Sequence, residues 1–170
     1  LLLLGVSFQT PRFLGAQDLL YVASQEAVTV SVIDTRNNEL LETVDLKALG
    51  FPESSKAHHT AVEPDGSFWY VSLISAGTIL KFDRQNRLVA RSNFEAPGML
   101  SLDPTSDHLY VGRSMAAVNP PQRIGVIQRS SMEIEEVDVF FPRPHALAVD
   151  PHGKRFFTAS LGQNTIAYAP

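Results

Sequence analysis

Three segments of the chain superimpose on one another: HHTAVEPDGSFWYVS from His58, GMLSLDPTSDHLYVG from Gly98 and HALAVDPHGKRFFTA from His145. Pro64, Pro104 and Pro151 fall at one place in the alignment, at spacings of 40 and 47 residues. Tyr70, Tyr110 and Phe157 match in the same way, and DLLYVAS adds Tyr21 as a fourth copy of the second half. A unit of this length cannot bury its apolar face alone. It must stack on its neighbours, which limits the chain to a few repeat architectures.

Each unit continues alike. A β-rich run follows (VTVSVID, TILKFD, RIGVIQ, NTIAY), then a polar turn (TRNN, RQN, RSS), then another run (LLETVDL, LVARSNF, IEEVDVF). Val28, Val30 and Ile33, or Ile79, Leu80 and Phe82, fit strands buried on one or both faces. Glu63-Pro-Asp-Gly66 and Asp150-Pro-His-Gly153 are turn sequences in which glycine supplies a positive φ. Eleven prolines and many β-branched residues interrupt any helical period. The sequence therefore predicts an all-β chain of four-stranded antiparallel blades, with strands A to D in order, which is the pattern of a β-propeller. The predicted blades cover about residues 18–49, 58–96, 97–141 and 143–170, close to three and a half units. A ring of seven would take roughly 300 residues at this period. The expectation is a partial propeller completed by the remaining blades of a longer chain.

Residues 1–17, LLLLGVSFQTPRFLGAQ, stand apart. They read either as a signal-peptide remnant, with Ala16 before a cleavage site, or as an apolar inner strand; they are too short to span a membrane. The first reading places the protein in the periplasm or outside the cell, with the cytoplasm left open. A net charge of −4 with no basic block leaves no footprint for nucleic acid or an anionic membrane. The absence of cysteine removes disulfides, thiolate metal sites and a cysteine nucleophile.

Pro144-His145 with Val149 and Pro151, and the run from Val28 to Asp34, resemble the YVTN-type β-propeller repeat, over nearly all of residues 18–170. That resemblance implies the fold and leaves the role open, since such repeats host many functions. A narrower resemblance covers His58-His59-Thr60, Asp65-Gly66 and Gly77-Thr78-Ile79, which look like the double-histidine blade of the nitrous oxide reductase propeller. It implies copper held by histidines at the inner blade ends, with Pro144-His145 similar to a second such start. Gly98 and Met99 occupy the intervening blade start.

In a blade, A–B and C–D turns open on one end, and D–A and B–C connections on the other. His58, His59 and His145 start strand A and so fall at the D–A, B–C end; His108 and His152 fall in A–B turns at the opposite end. The long connections Lys47 to Ala57 and Gly112 to Arg123 share the first end, and Arg113, Asn119 and Arg123 are candidate ligand-face residues there. His58, His59 and His145 are candidate ligands for copper or another transition metal, which imidazole suits. The bland alternative has them capping strand ends against loop carbonyls. Adjacent strand residues face opposite ways, so only one of His58 and His59 faces the channel if the strand starts before them. His58 aligns with His145.

Asp103, Asp107 and Asp150 offer a weaker calcium reading, Glu133, Glu135 and Glu136 read as a solvated outer strand, and Phe68 and Trp69 as inter-blade core. No phosphate loop, G-x-S-x-G elbow or H-E-x-x-H is present. The leading expectation is a propeller module that binds a small-molecule or protein ligand at the histidine end. The rivals are a copper-dependent oxidoreductase and a structural repeat of a larger surface protein.

Overall fold

The computed structural model describes residues 18–169. Both expectations for residues 1–17 lie outside the described residues. The described chain forms four antiparallel sheets, each a simple meander of consecutive strands. The first holds β1 (Leu19–Ser24), β2 (Thr29–Asp34) and β3 (Glu39–Asp45). The second holds β4 (Ala57–Val62), β5 (Phe68–Leu73), β6 (Thr78–Asp83) and β7 (Leu88–Asn93). The third holds β8 (Pro97–Leu102), β9 (His108–Arg113), β10 (Arg123–Gln128) and β11 (Ile134–Asp138). The fourth holds β12 (Pro144–Val149), β13 (Phe156–Ser160) and β14 (Ile166–Ala169). Two short 3-10 turns, Lys47–Leu49 and Glu53–Ser55, lie between the first two sheets.

The turns obey local chemistry. The Gly66 and Gly153 amides donate to the carbonyls of Glu63 and Asp150, and both glycines have positive φ. Aspartates close many of the other turns. Asp34 accepts from the Arg36 amide at 2.9 Å, Asp83 from Gln85 and Arg87, Asp103 from Thr105 and Ser106, and Asp150 from His152. Asp107 accepts from the Ser130 amide and Gln128. The Arg36 guanidinium and then its amide hold the Asp34 carboxylate below the usual range, and hydrogen bonds outweigh burial to hold Asp103, Asp107 and Asp150 there too. The three aspartates of the calcium reading are thus engaged by turn amides.

Alternation sends successive residues of β5 to opposite cores. Trp69 faces the first sheet, stacked on Phe82 at 4.2 Å and tilted against Tyr21 at 4.9 Å. Tyr70 faces the third sheet and is buried with Ile79, Leu100, Leu109, Val111 and Ile127, with Phe68 packed against that cluster. Every residue of β6 is buried, because this strand is covered on both faces. Tyr110 meets Phe156 at 4.6 Å between the third and fourth sheets. The first strands of the last three sheets are neighbours, β8 packing on both β4 and β12. The repeat thus sets the two histidine-bearing strands, β4 and β12, on either side of β8.

Candidate functional site

The pairing of the first strand breaks at the same place in each of the last three sheets. In β4, Ala57 opposes Leu73 and His59 opposes Ser72, so His58 is an extra residue. In β12, Pro144 opposes Ser160 and Ala146 opposes Ala159, so His145 is the extra residue. In β8 the register shifts between Pro97 and Leu100, where Gly98 and Met99 stand. Each is a β-bulge, which breaks strict alternation and re-aims side chains. Strand β4 does start before His58, yet the bulge removes the choice between one histidine and the other.

The three histidines are engaged differently. The His145 Nδ1 lies 2.8 Å from the Arg113 carbonyl oxygen. A carbonyl only accepts, so Nδ1 carries the proton and a neutral ring presents a bare Nε2. The His59 Nδ1 accepts the Leu100 amide at 3.3 Å, so its neutral ring carries hydrogen on Nε2. The His59 amide donates to Ser72 Oγ, whose hydroxyl donates to the Gly98 carbonyl at 2.7 Å, tying β4, β5 and β8 together. The His58 Nε2 is buried and has no hydrogen-bond partner, an arrangement native structures rarely leave unexplained. Its ring stands 6.5 Å from that of His145. Burial, then the charge of His145, lowers the His58 pKa; burial, then His58 and His145, lowers that of His59. Both are therefore neutral at pH 7 and able to donate lone pairs or accept hydrogen bonds.

Gly112 sets the approach of β9 to β12. A Cβ there would come within 3.0 Å of the His145 carbonyl oxygen and 3.2 Å of its carbonyl carbon. Only glycine lets the strands close far enough for His145 to reach the neighbouring Arg113 carbonyl.

Arg113 ends β9 and is not a loop residue. Its side chain is 1% exposed, pairs with Glu136 at 2.9 Å and Glu95 at 3.2 Å, and lies over the Phe94 ring at 4.3 Å. Its charge is therefore spent in the core, and only its carbonyl serves the site. Glu133, Glu135 and Glu136 are exposed, as predicted for this outer strand, and Glu136 also pairs with the buried guanidinium. Arg123 opens β10 and pairs with the exposed Asp138 at 2.7 Å. Asn119 is exposed, with φ at 48°, in the loop between β9 and β10. His108 and His152 lie in or beside the turns at the other end.

Sequence reasoning missed the loop hydrophobics. Large apolar residues exposed in the loops of the described chain are Leu49, Met115, Val118, Phe140 and Leu161. All five sit on D–A or B–C connections, at the histidine end, and none on the opposite turns. Hydrogen bonds lace three of these connections together. Arg143 Nη2 donates to the Met115 carbonyl at 2.7 Å, the Leu161 amide to Arg143, and Ser160 Oγ to Pro142. Val118 beside Asn119-Pro120-Pro121 was the available signal: an aliphatic side chain in a segment whose prolines bar a central strand. Among the described residues, no group of three or more histidine and carboxylate side chains is arranged to hold one metal ion, and no helix is long and apolar enough to cross a membrane.

The folded chain is similar to hydrazine synthase from Kuenenia stuttgartiensis, with a TM-score of 0.74 and 19% sequence identity. The fold is propeller-like. The likeness covers 89% of this chain and spans 42% of that one, and at this identity it speaks for the fold alone. No protein-family model matches the sequence, and no curated protein matches it significantly.

Proposed function

We propose that the four sheets are successive blades of a β-propeller ring of the YVTN type. On this reading the chain is a binding module that takes its ligand where the inner strands begin. The observation that carries this is the buried His58 Nε2 without a partner, on a ring 6.5 Å from that of His145, whose own Nε2 is left bare by the Nδ1 bond to the Arg113 carbonyl. Two neighbouring imidazoles accept a donor group or bind a borderline metal ion such as copper or zinc. Imidazoles sharing one ion stand with centroids about 5–6 Å apart for metal–nitrogen bonds of about 2.0–2.1 Å. The separation of 6.5 Å is a small ring movement from that range. The exposed Met115, Val118, Phe140 and Leu161 on connections at the same end supply apolar contact area for a small molecule or a protein partner.

A third histidine donor, which a redox centre of the copper type would draw on, is spent here, because His59 Nδ1 is held by Leu100. The pair is therefore read as a binding site without catalysis. Calorimetric titration of the folded protein with Zn(II) and Cu(I) tests the assignment. One equivalent is expected to bind, and His58→Ala and His145→Ala are each expected to abolish it while His152→Ala leaves it intact. Binding that survives both substitutions, or no binding by either ion, would overturn the paired-imidazole site.

A further inference from the structure

One backbone position recurs just ahead of the bulges. Lys56, Ala96 and Arg143 stand two residues before His58, Gly98 and His145. All three have positive φ, at 59°, 46° and 54°. Their carbonyls accept the amides of Ile74, Ser114 and Leu161 at 3.1, 2.7 and 3.0 Å, each the first residue after the second strand of its sheet. Glycine or asparagine would make this turn with less strain. The backbone therefore gives no reason for a long cationic side chain. A cation nevertheless stands there in both blades whose bulge carries a histidine, and alanine stands in the blade whose bulge carries glycine. Neither cation is neutralised. At this end Lys47, Arg113 and Arg123 pair with carboxylates. Among the described residues Arg143 bonds the Met115 carbonyl and meets no carboxylate, and the Lys56 side chain has no partner. The whole chain carries −4, so these two positive charges are a local feature and not part of a basic surface.

We propose that the ligand of the histidine end is a small hydroxycarboxylate, its carboxylate held by Lys56 and Arg143 and its hydroxyl donating to Nε2 of His58 or His145. This rests on reading that end as the binding site and names the class of molecule it takes. The two bulges belong to β4 and β12, yet their imidazoles stand 6.5 Å apart. Each cation starts at most about 7 Å of chain from its own histidine, so the two charges flank one pair of rings. Arginine offers a planar fork that matches a carboxylate, and lysine adds a compact point charge. The bond to Met115 anchors the guanidinium and leaves its other N–H groups for a ligand. The bare Nε2 of His145 accepts a hydroxyl proton, and the buried His58 Nε2 gains the partner it lacks. A carboxylate without a hydroxyl satisfies only the cations, and an uncharged alcohol satisfies only the imidazoles.

The test is calorimetric titration of the chain with lactate in metal-free buffer at about pH 8, above the ordinary histidine value, with acetate and inorganic phosphate alongside. Lactate is expected to bind, and acetate about fivefold more weakly, as the loss of one hydrogen bond requires. Lys56→Gln and Arg143→Gln are each expected to weaken lactate about tenfold, the effect of losing one charge-assisted bond. Lys154→Gln removes an exposed lysine from a turn at the other end and is expected to change nothing. Ala96→Lys places a third cation on a backbone that already carries lysine in the preceding sheet, and is expected to tighten binding. Circular dichroism checks that each variant keeps its strands. Lactate binding that neither glutamine substitution weakens would overturn the proposal, as would phosphate binding more tightly than lactate. A separate Zn(II) titration of the same samples distinguishes the two readings. Uptake of Zn(II) with no lactate binding sinks the hydroxycarboxylate and leaves the paired imidazoles standing. Lactate binding with the expected losses but no Zn(II) uptake keeps the hydroxycarboxylate and removes the metal.

Discussion

Replacing Gly112 by alanine tests how the histidine end is built. The new methyl would lie within 3.0 Å of the His145 carbonyl oxygen, 3.2 Å from its carbonyl carbon and 3.4 Å from Leu147 Cγ. The first two atoms are backbone and cannot rotate away, so β12 has to move off β9 by several tenths of an ångström. Overpacking of this kind costs about 1–3 kcal/mol. Stretching the 2.8 Å bond from His145 to Arg113 forfeits part of a hydrogen bond worth about 1 kcal/mol. A total of about 2 kcal/mol lowers the thermal midpoint by about 4–8 °C in a domain of this size. The assay is thermal unfolding followed by circular dichroism, with Gly162→Ala as control, since its methyl meets nothing closer than 3.5 Å. The imidazole resonances of His145 are expected to shift in Gly112→Ala alone. A midpoint equal to that of the control, with His145 unmoved, would refute the close approach of β9 and β12.

Other consequences are as direct. His58 and His59 have folded pKa values below the ordinary histidine value near 6.5. The unfolded chain therefore binds protons first on acidification, and stability is expected to fall as pH drops below about 6.5. Urea unfolding at a series of pH values checks this, and a His58→Gln, His59→Gln double variant is expected to flatten that part of the profile. Arg113→Met keeps an unbranched apolar chain beside Phe94 but loses the guanidinium over its ring, and Glu95 and Glu136 are exposed enough to regain water. The change is expected to cost about 1–2 kcal/mol in urea unfolding and to leave Zn(II) affinity unchanged. Val118→Asp with Phe140→Asp is expected to change stability by less than about 0.5 kcal/mol while reducing the binding of an apolar fluorescent dye. An unchanged dye signal would mean the rim is not a contact surface.

Much of the fold was legible because its signals are local. Turn aspartates and glycines act on amides two or three residues away, and strand alternation is read directly from Phe68, Trp69 and Tyr70. The bulges were not legible. An extra residue at His58 or His145 exists only relative to the partner strand, so the sequence left two histidines competing for one direction. Arg113 misled for a related reason. A cation beside a long loop looks available, but Glu95 and Glu136, which neutralise it, lie 18 and 23 residues away. The rim of Met115, Val118, Phe140 and Leu161 required knowing which turns share an end. That followed from the strand order, but the sequence reading weighed only the polar residues there.

The pairing of His58 with His145 is tested most directly by long-range nitrogen–proton correlation on the histidine-labelled protein at about pH 8, above the ordinary histidine value. The structure expects His145 in the Nδ1–H form with a bare Nε2, and His59 in the Nε2–H form. On adding Zn(II), the Nε2 signals of His58 and His145 are expected to move together while His108 and His152 stay fixed. A His145 ring protonated at Nε2 and bare at Nδ1 would contradict the bond to Arg113, and with it the claim that this end of the sheets is a ready binding site.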